Sequence, residues 1–578
     1  MATDFPGRYW EPGEAPYRAS RLIRNIRIPI RDGMHLNAVM YVPCSKESGK
    51  PVRDERFPTV VEWTCYSFIP PAFFTSYGYI YLMVWMEGTG GSDGEIRMGD
   101  PVEGTDATFI IDWIEGLEQA DGRVAFIGAS APAGMALLAA SVDNRISCVI
   151  ANNNGLQNCV RQSWFMSGVA TVGGMYYTQA IPSIYGRTKA AKRWSQRARR
   201  DMEEGTGIAY DGEYWKDRLP MRFAESIVNN GVPVLMSSGY RDIMDNLVIK
   251  TWCAFQNAHA GKAVDGKMDP DQKVSPKWQL LYGSWGHMHA LNRGLELQWL
   301  ETWVRGMDTG LQSTANPLHI YEGGSGRWSN LPTFPQSRQS DQWFIDSRNS
   351  LSLSPDESGS FDLRFAYPDE HMGLASFASN PLEDDYVICG ALSMTLFAST
   401  TTTNIVVIAT LFDEGDNQKT EVARGVVLGS QSELDADKSW FDENGTPTYV
   451  WAKLDKDVYL ESGRIYGLSM NMACRQWRFK RGHRLTLELT TKTSRSLCPP
   501  KGPMPGNHCL PGRYNEKQNA SMENGVFTIY FGEAYPSAIN VPSMKKPLSY
   551  VDDTGCLPPS LSASFSSQIY DIPLDWCE

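Results

Sequence analysis

The sequence predicts an α/β domain on a parallel sheet, interrupted by a helical cap insertion and followed by an all-β, jelly-roll-like sandwich. Three observations carry this. Over the first third, and again from about residue 231, short apolar runs alternate with helical patterns, the order that builds a parallel sheet with helices on both faces. Between about 156 and 230 the buried-strand runs stop. Past about 335 the chain becomes β-branched, alternating and punctuated by glycine, with little helical periodicity. At 578 residues one compact core is not expected. The expected division is an α/β core in two parts, 1–155 and 231–335, a helical cap over 156–230, and the sandwich over 336–578.

Taken in order, "IRIPIRDGMHLNAVMYVP" (26–43) reads as a hairpin turning at Arg31-Asp32-Gly33. "TVVEWTCY" (59–66), "YIYLMVWM" (79–86) and "RVAFIG" (123–128) are nearly continuous apolar runs, as strands buried on both faces should be. Between the last two, "DATFIIDWIEGLEQA" (106–120) sets Phe109, Ile110, Trp113, Ile114 and Leu117 on one helical face. The basic run "RTKAAKRWSQRARR" (187–200) reads as a solvated helix face within the insertion. Strands resume with "VPVLMSSG" (232–239) and "WQLLYG" (278–283), and "LELQWLETWVRG" (295–306) is helical. "FPQSRQSDQW" (334–343) marks the boundary to the sandwich.

Composition narrows the function. A net charge of −12 and a sequence pI near 5.3 disfavour a phosphate-backbone partner, so no nucleic acid is expected. No apolar run reaches the roughly 18 residues of a membrane span, and no signal peptide is evident at the N-terminus. Eleven cysteines without a CxxC pair argue for reduced thiols and a cytoplasmic setting. The eight histidines form no HExxH or HxxxH pair, so neither metal nor cofactor is implied. "GTGGSDG" (88–94) opens no helix pattern and reads as a loop over the sheet edge, not a dinucleotide fingerprint.

One stretch carries chemistry. "RVAFIGASAPAGMALLAAS" (123–141) is a strand that turns abruptly into a helix with Ser130 at the corner. Such a turn lifts its corner residue above the sheet, and the next backbone N–H, that of Ala131, points where an oxyanion would develop. Gly128 and Ala129 supply the small neighbours that the crossing needs, whereas Pro132 stands where a second glycine is usual. The turn alone leaves Ser130 open between nucleophile and helix cap. A serine also needs a base and an orienting carboxylate. After "VPVLMSSG" comes "YRDIMDN", with Asp242 and its rival Asp245; after "WQLLYG" comes "SWGHMHALN", with His287 and its rival His289. The order Ser, Asp, His on loops after successive strands is that of an α/β-hydrolase fold.

"FIGAS", "SGYRD" and "YGSWGH" resemble, in order, the nucleophile, acid and base segments of the CocE/NonD serine hydrolases. That group includes cocaine esterase, α-amino-acid ester hydrolases and Xaa-Pro dipeptidyl-peptidases. The resemblance selects Asp242 and His287 over their rivals and implies that Tyr66, after an early strand, gives its hydroxyl to the oxyanion beside the Ala131 amide. "NPLEDDYVICG" (380–390) resembles the opening of the group's β-sandwich. The chain departs from the pattern where Trp85 and Glu87 replace an Asp and an Arg before the "GTGGS" loop, and where Gly134 arrives one residue late after Ser130. These changes are expected to reshape the pocket and to bear on the aim of the Ala131 amide.

The expected activity is serine hydrolysis of an ester or amide of an apolar small molecule through an acyl-enzyme. Trp85 and the cap residues Trp164, Phe165, Met166, Tyr176 and Tyr177 would form an aromatic pocket wall. The alternatives are acyl transfer, cyclisation or C–C bond cleavage in specialised metabolism on the same site, and a binding protein that has lost the chemistry. The partner is a small-molecule substrate, and a homo-oligomer is left open.

Overall fold

The computed structural model describes residues 10, 12–66, 73–152, 188–242, 245–286, 291, 293–365, 373–491, 516–544 and 548–550. A ten-stranded sheet runs in the order β1-β2-β4-β3-β5-β6-β7-β8-β9-β10. Its strands are β1 (Arg18–Pro29), β2 (His35–Cys44), β3 (Phe57–Thr64), β4 (Ile80–Trp85), β5 (Ala120–Ala129), β6 (Ile146–Asn152), β7 (Val234–Arg241), β8 (Trp278–Gly286), β9 (Leu318–Glu322) and β10 (Arg327–Leu331). From β4 through β9 neighbouring strands are parallel, while β1, β2 and β10 pair antiparallel at the two edges.

The parallel strands are buried because helices cover both faces, which is why they are written as apolar runs. Every residue of β3 is buried. The hairpin turns through Asp32 and Gly33, with φ of 56° and 72°. The helix Asp106–Glu115 is shorter than its apolar pattern suggested. It closes at Gly116, and Ala120 already belongs to β5. The helix Ala131–Val142 is built largely of Ala, Gly and Leu, so its backbone lies close against the sheet. β6, β9 and β10 extend the sheet beyond the strands that the apolar runs marked.

In the described part of 188–230, the helix Lys189–Glu204 buries Ala190, Ala191, Trp194 and Ala198, and turns Lys192, Arg193 and Arg197 outward. Thr188 caps it, its hydroxyl accepting from the Ala191 N–H at 3.0 Å. The C-terminal region is an antiparallel β-sandwich of a seven-stranded and a four-stranded sheet. Its longest pair is Tyr386–Thr400 with Tyr466–Phe479. One hydrophobic cluster runs through both regions, from Trp63 and Phe126 to Leu392 and Leu487. Among the described residues, no helix is long and apolar enough to cross a membrane.

Candidate active site

β5 ends at Ala129 and the next helix begins at Ala131, so Ser130 alone makes the turn. Its backbone sits at φ 63° and ψ −126°, a conformation that L side chains rarely adopt and that persists only when its surroundings enforce it. Main-chain bonds do so: the Ser130 N–H donates to the Asn152 carbonyl at 3.0 Å, and its own carbonyl accepts from the Ala133 N–H at 2.9 Å and the Gly134 N–H at 3.4 Å. Strand and helix cross so closely that a Cβ at Gly128 would stand 2.2 Å from the Pro132 carbonyl carbon. Pro132 itself is tolerated because a first helical turn needs no N–H there. The Ser130 side chain makes no capping bond to the helix.

Tyr66, just beyond β3, brings its hydroxyl to the same corner, where it is hydrogen-bonded to the Ser130 side chain and to the Ala131 N–H. Burial holds this phenol above its ordinary range, while the bonds from Ser130 and Ala131 act the other way. Its main chain is tethered on both sides. The Tyr66 N–H donates to Thr64 Oγ1 at 3.1 Å, and its carbonyl accepts from Trp85 Nε1 at 2.8 Å. The Trp85 ring is in turn covered by Gly90, where a Cβ would fall 2.0 Å from Trp85 Cγ. The late Gly134 has therefore not turned the Ala131 amide away from Tyr66.

Asp242 follows the last residue of β7 and is buried. Ser238 Oγ donates to its Oδ2 at 3.2 Å, and its N–H donates to the Gly239 carbonyl at 2.9 Å. Its rival Asp245 opens the helix Asp245–His259. β7 and β8 pair through Gly239 and Gly283, slip, and pair again at Arg241 and Gly286. The residues next in sequence after that last pair are Asp242 and His287. The slip carries Trp285 back over both strands, so close that a Cβ at Gly239 or Gly283 would meet it at 2.3 or 2.0 Å. His287, His289, Trp164, Phe165, Met166, Tyr176 and Tyr177 lie outside the described residues.

Glu87, one of the two departures from the family pattern before the loop 88–94, is paired within the protein. It is 1% exposed, beneath the loop that follows β4, and Arg31 of the hairpin turn bridges it to Asp106. Arg97 Nε lies 3.1 Å from Glu87 Oε1, and Glu103 Oε2 accepts from the Gly99 N–H at 2.8 Å. Burial pushes the Glu103 carboxyl up to about 8 and raises that of Asp106 above the usual carboxylate range. Among the described residues, no His, Cys, Asp or Glu cluster is arranged to hold a metal ion.

The sequence reading missed Asn152 and Ser238. Asn152 closes β6 and Ser238 stands four residues before Asp242, but no motif marks either, because each acts through a bond formed only in the fold.

Residues 32–289 match the family model of X-Pro dipeptidyl-peptidase (S15 family), and 308–540 match that of the X-Pro dipeptidyl-peptidase C-terminal non-catalytic domain. No curated protein matches the chain. Among solved structures, a CocE/NonD family hydrolase from Staphylococcus aureus superposes with a TM-score of 0.69 at 17% identity, covering 91% of this chain and 94% of its own. An α-amino acid ester hydrolase gives 0.65 at 15% identity over 94% of this chain and 100% of its own. An aminopeptidase from a marine sediment archaeon, Thaumarchaeota archaeon, gives 0.63 at 15% identity over 92% and 97%. These likenesses carry the fold. With both regions matched in series around a strand-to-helix corner serine, residues 32–289 belong to the X-Pro dipeptidyl-peptidase (S15) family of serine hydrolases, and 308–540 to the C-terminal non-catalytic domain that accompanies it.

Proposed function

We propose that the protein cleaves an ester or amide of an apolar small molecule through an acyl-enzyme on Ser130. The observation that carries this is the meeting of the Ser130 hydroxyl, the Tyr66 hydroxyl and the Ala131 N–H at one strained corner. A substrate carbonyl oxygen entering between Tyr66 Oη and the Ala131 N–H would be held by two donors as its charge grows, with the helix N-terminus behind it. His287, oriented by Asp242, takes the Ser130 proton as the hydroxyl attacks the carbonyl and returns it to the leaving group. The same histidine then activates the water that releases the acid. The register of β7 and β8, which sets Asp242 and His287 next in line after a paired couple, supports this assignment.

The half-buried rings of Tyr66 and Trp85 beside the corner favour an apolar substrate. Scattered cysteines without a CxxC pair support reading the compartment as the cytoplasm. The test is labelling with a fluorophosphonate and turnover of p-nitrophenyl esters. One label per chain on Ser130, no label on Ser130→Ala, and free acid plus alcohol as sole products are expected. A folded wild-type chain that takes no label sinks the proposal, and a transferred or cyclised product replaces hydrolysis with another acyl chemistry.

A further inference from the structure

The region matched by the non-catalytic domain model sends one side chain into the ends of the strands that carry the acid and lead to the base. Arg475, in the sandwich strand Tyr466–Phe479, is buried. Its Nε donates to the Val422 carbonyl at 2.7 Å, within the sandwich. Its other nitrogens reach the large sheet: Nη2 donates to the main-chain carbonyl of Tyr240 in β7 at 3.2 Å, and Nη1, which also donates to the Cys474 carbonyl at 2.8 Å, lies 3.1 Å from the Tyr282 hydroxyl in β8. The guanidinium carbon lies 4.9 Å from the Tyr240 ring centroid, and the Tyr240 and Tyr282 rings meet edge-on at 5.0 Å. The two tyrosines return the contact, Tyr240 Oη donating to the Gln476 carbonyl at 3.2 Å and Tyr282 Oη to that of Cys474 at 3.4 Å.

The place matters more than the number of bonds. Tyr240 lies within the irregular step of the β7–β8 pairing, between Gly239 and Arg241, and Asp242 is two residues on. An irregular step re-aims side chains and interrupts the ladder, so main-chain groups there need other partners. A guanidinium is a rigid planar fork that can hold two strands at a set spacing, which a single ammonium cannot. Burying that charge is costly, so an arginine is kept where its donors are used.

We infer that Arg475 is a positioning residue: by bonding the Tyr240 carbonyl and the Tyr282 hydroxyl together, it fixes the slipped ends of β7 and β8 and so the aim of Asp242 toward the segment that continues into His287. This rests on the reading of Ser130 as an acylated nucleophile. The test is the rate constant for fluorophosphonate labelling, followed from about pH 5 to about pH 9, on the full-length wild type, Ser130→Ala and Arg475→Met. Wild type labels with the inflection of a single base, and Ser130→Ala takes no label. Arg475→Met, folded by thermal melting, is expected to label about 10- to 100-fold more slowly with a displaced inflection, as a small misplacement of a reacting group does. Arg475→Lys should recover little of the rate. An unchanged rate and inflection in folded Arg475→Met overturns the inference. If that variant does not fold, the same unchanged result in Arg475→Lys and Tyr282→Phe overturns it. A wild type that takes no label fails at the earlier step, so the two failures are distinct.

Discussion

The indole N–H of Trp85 donates to the main-chain carbonyl of Tyr66 at 2.8 Å. The residue that replaces an aspartate of the family pattern thus tethers the tyrosine whose hydroxyl meets Ser130. Trp85→Phe keeps a ring under Gly90 and deletes only that donor. An about 5-fold lower kcat with little change in KM is expected, in line with one lost hydrogen bond of roughly 1 kcal/mol. Steady-state turnover of a p-nitrophenyl ester reads it, and an unaltered kcat would reduce Trp85 to packing.

Tyr66→Phe removes the hydroxyl itself. Loss of one preorganised donor costs about 100- to 1000-fold in kcat, with KM nearly unmoved because the donor acts on developing charge. Fluorophosphonate labelling of Ser130 should slow but persist. Full activity in this variant would assign the oxyanion to other donors.

At Gly128, an added Cβ would stand 2.2 Å from the backbone of Pro132, where neither strand nor helix can retreat. Gly128→Ala is expected to destabilise the chain by about 3 kcal/mol or more, read as a fall in thermal midpoint or as insoluble expression. Gly212→Ala, with no atom within 4 Å of the new Cβ, is the matched control and should melt as wild type does.

Glu103 predicts a pH dependence of stability. Its folded carboxyl is pushed up to about 8 from an ordinary 4.5, chiefly by burial, with the neighbouring carboxylates acting in the same direction. The folded chain therefore holds that proton more tightly than the unfolded chain. The stabilising contribution is complete below about 4.5 and is lost as the pH rises to about 8. Glu103→Gln keeps a carbonyl oxygen to accept from Gly99 and cannot ionise. The variant is expected to lose less of its melting temperature than wild type between about pH 5 and about pH 8. Equal slopes would show that Glu103 ionises normally.

Much of this was legible because the physics is local. Strands buried on both faces must be apolar along their length, and β3, β4, β5, β7 and β8 are so written. The Ser130 turn announces itself through the small residues around it, and Asp242 through its place just past a strand. β6 escaped because "ISCVIAN" is short and mixed with Ser, Cys and Asn, and β9 and β10 because His319, Glu322, Arg327 and Asn330 break their apolar runs. The polar members are tolerated through bonds that no window of sequence contains, such as His319 to Gln279 at 3.0 Å and to Asn330 at 2.8 Å. The pairing of Glu87 was hidden for the same reason. Its partner Arg31 comes from a hairpin turn 56 residues earlier, so the reversal of charge is answered at a distance.

The 235 residues that separate Tyr240 from Arg475 also order events in time. During synthesis the large sheet can emerge and pair while the guanidinium that grips its strand ends has yet to be translated. A chain released before residue 475 would carry the residues of the serine corner but lack the side chain that bridges the ends of β7 and β8.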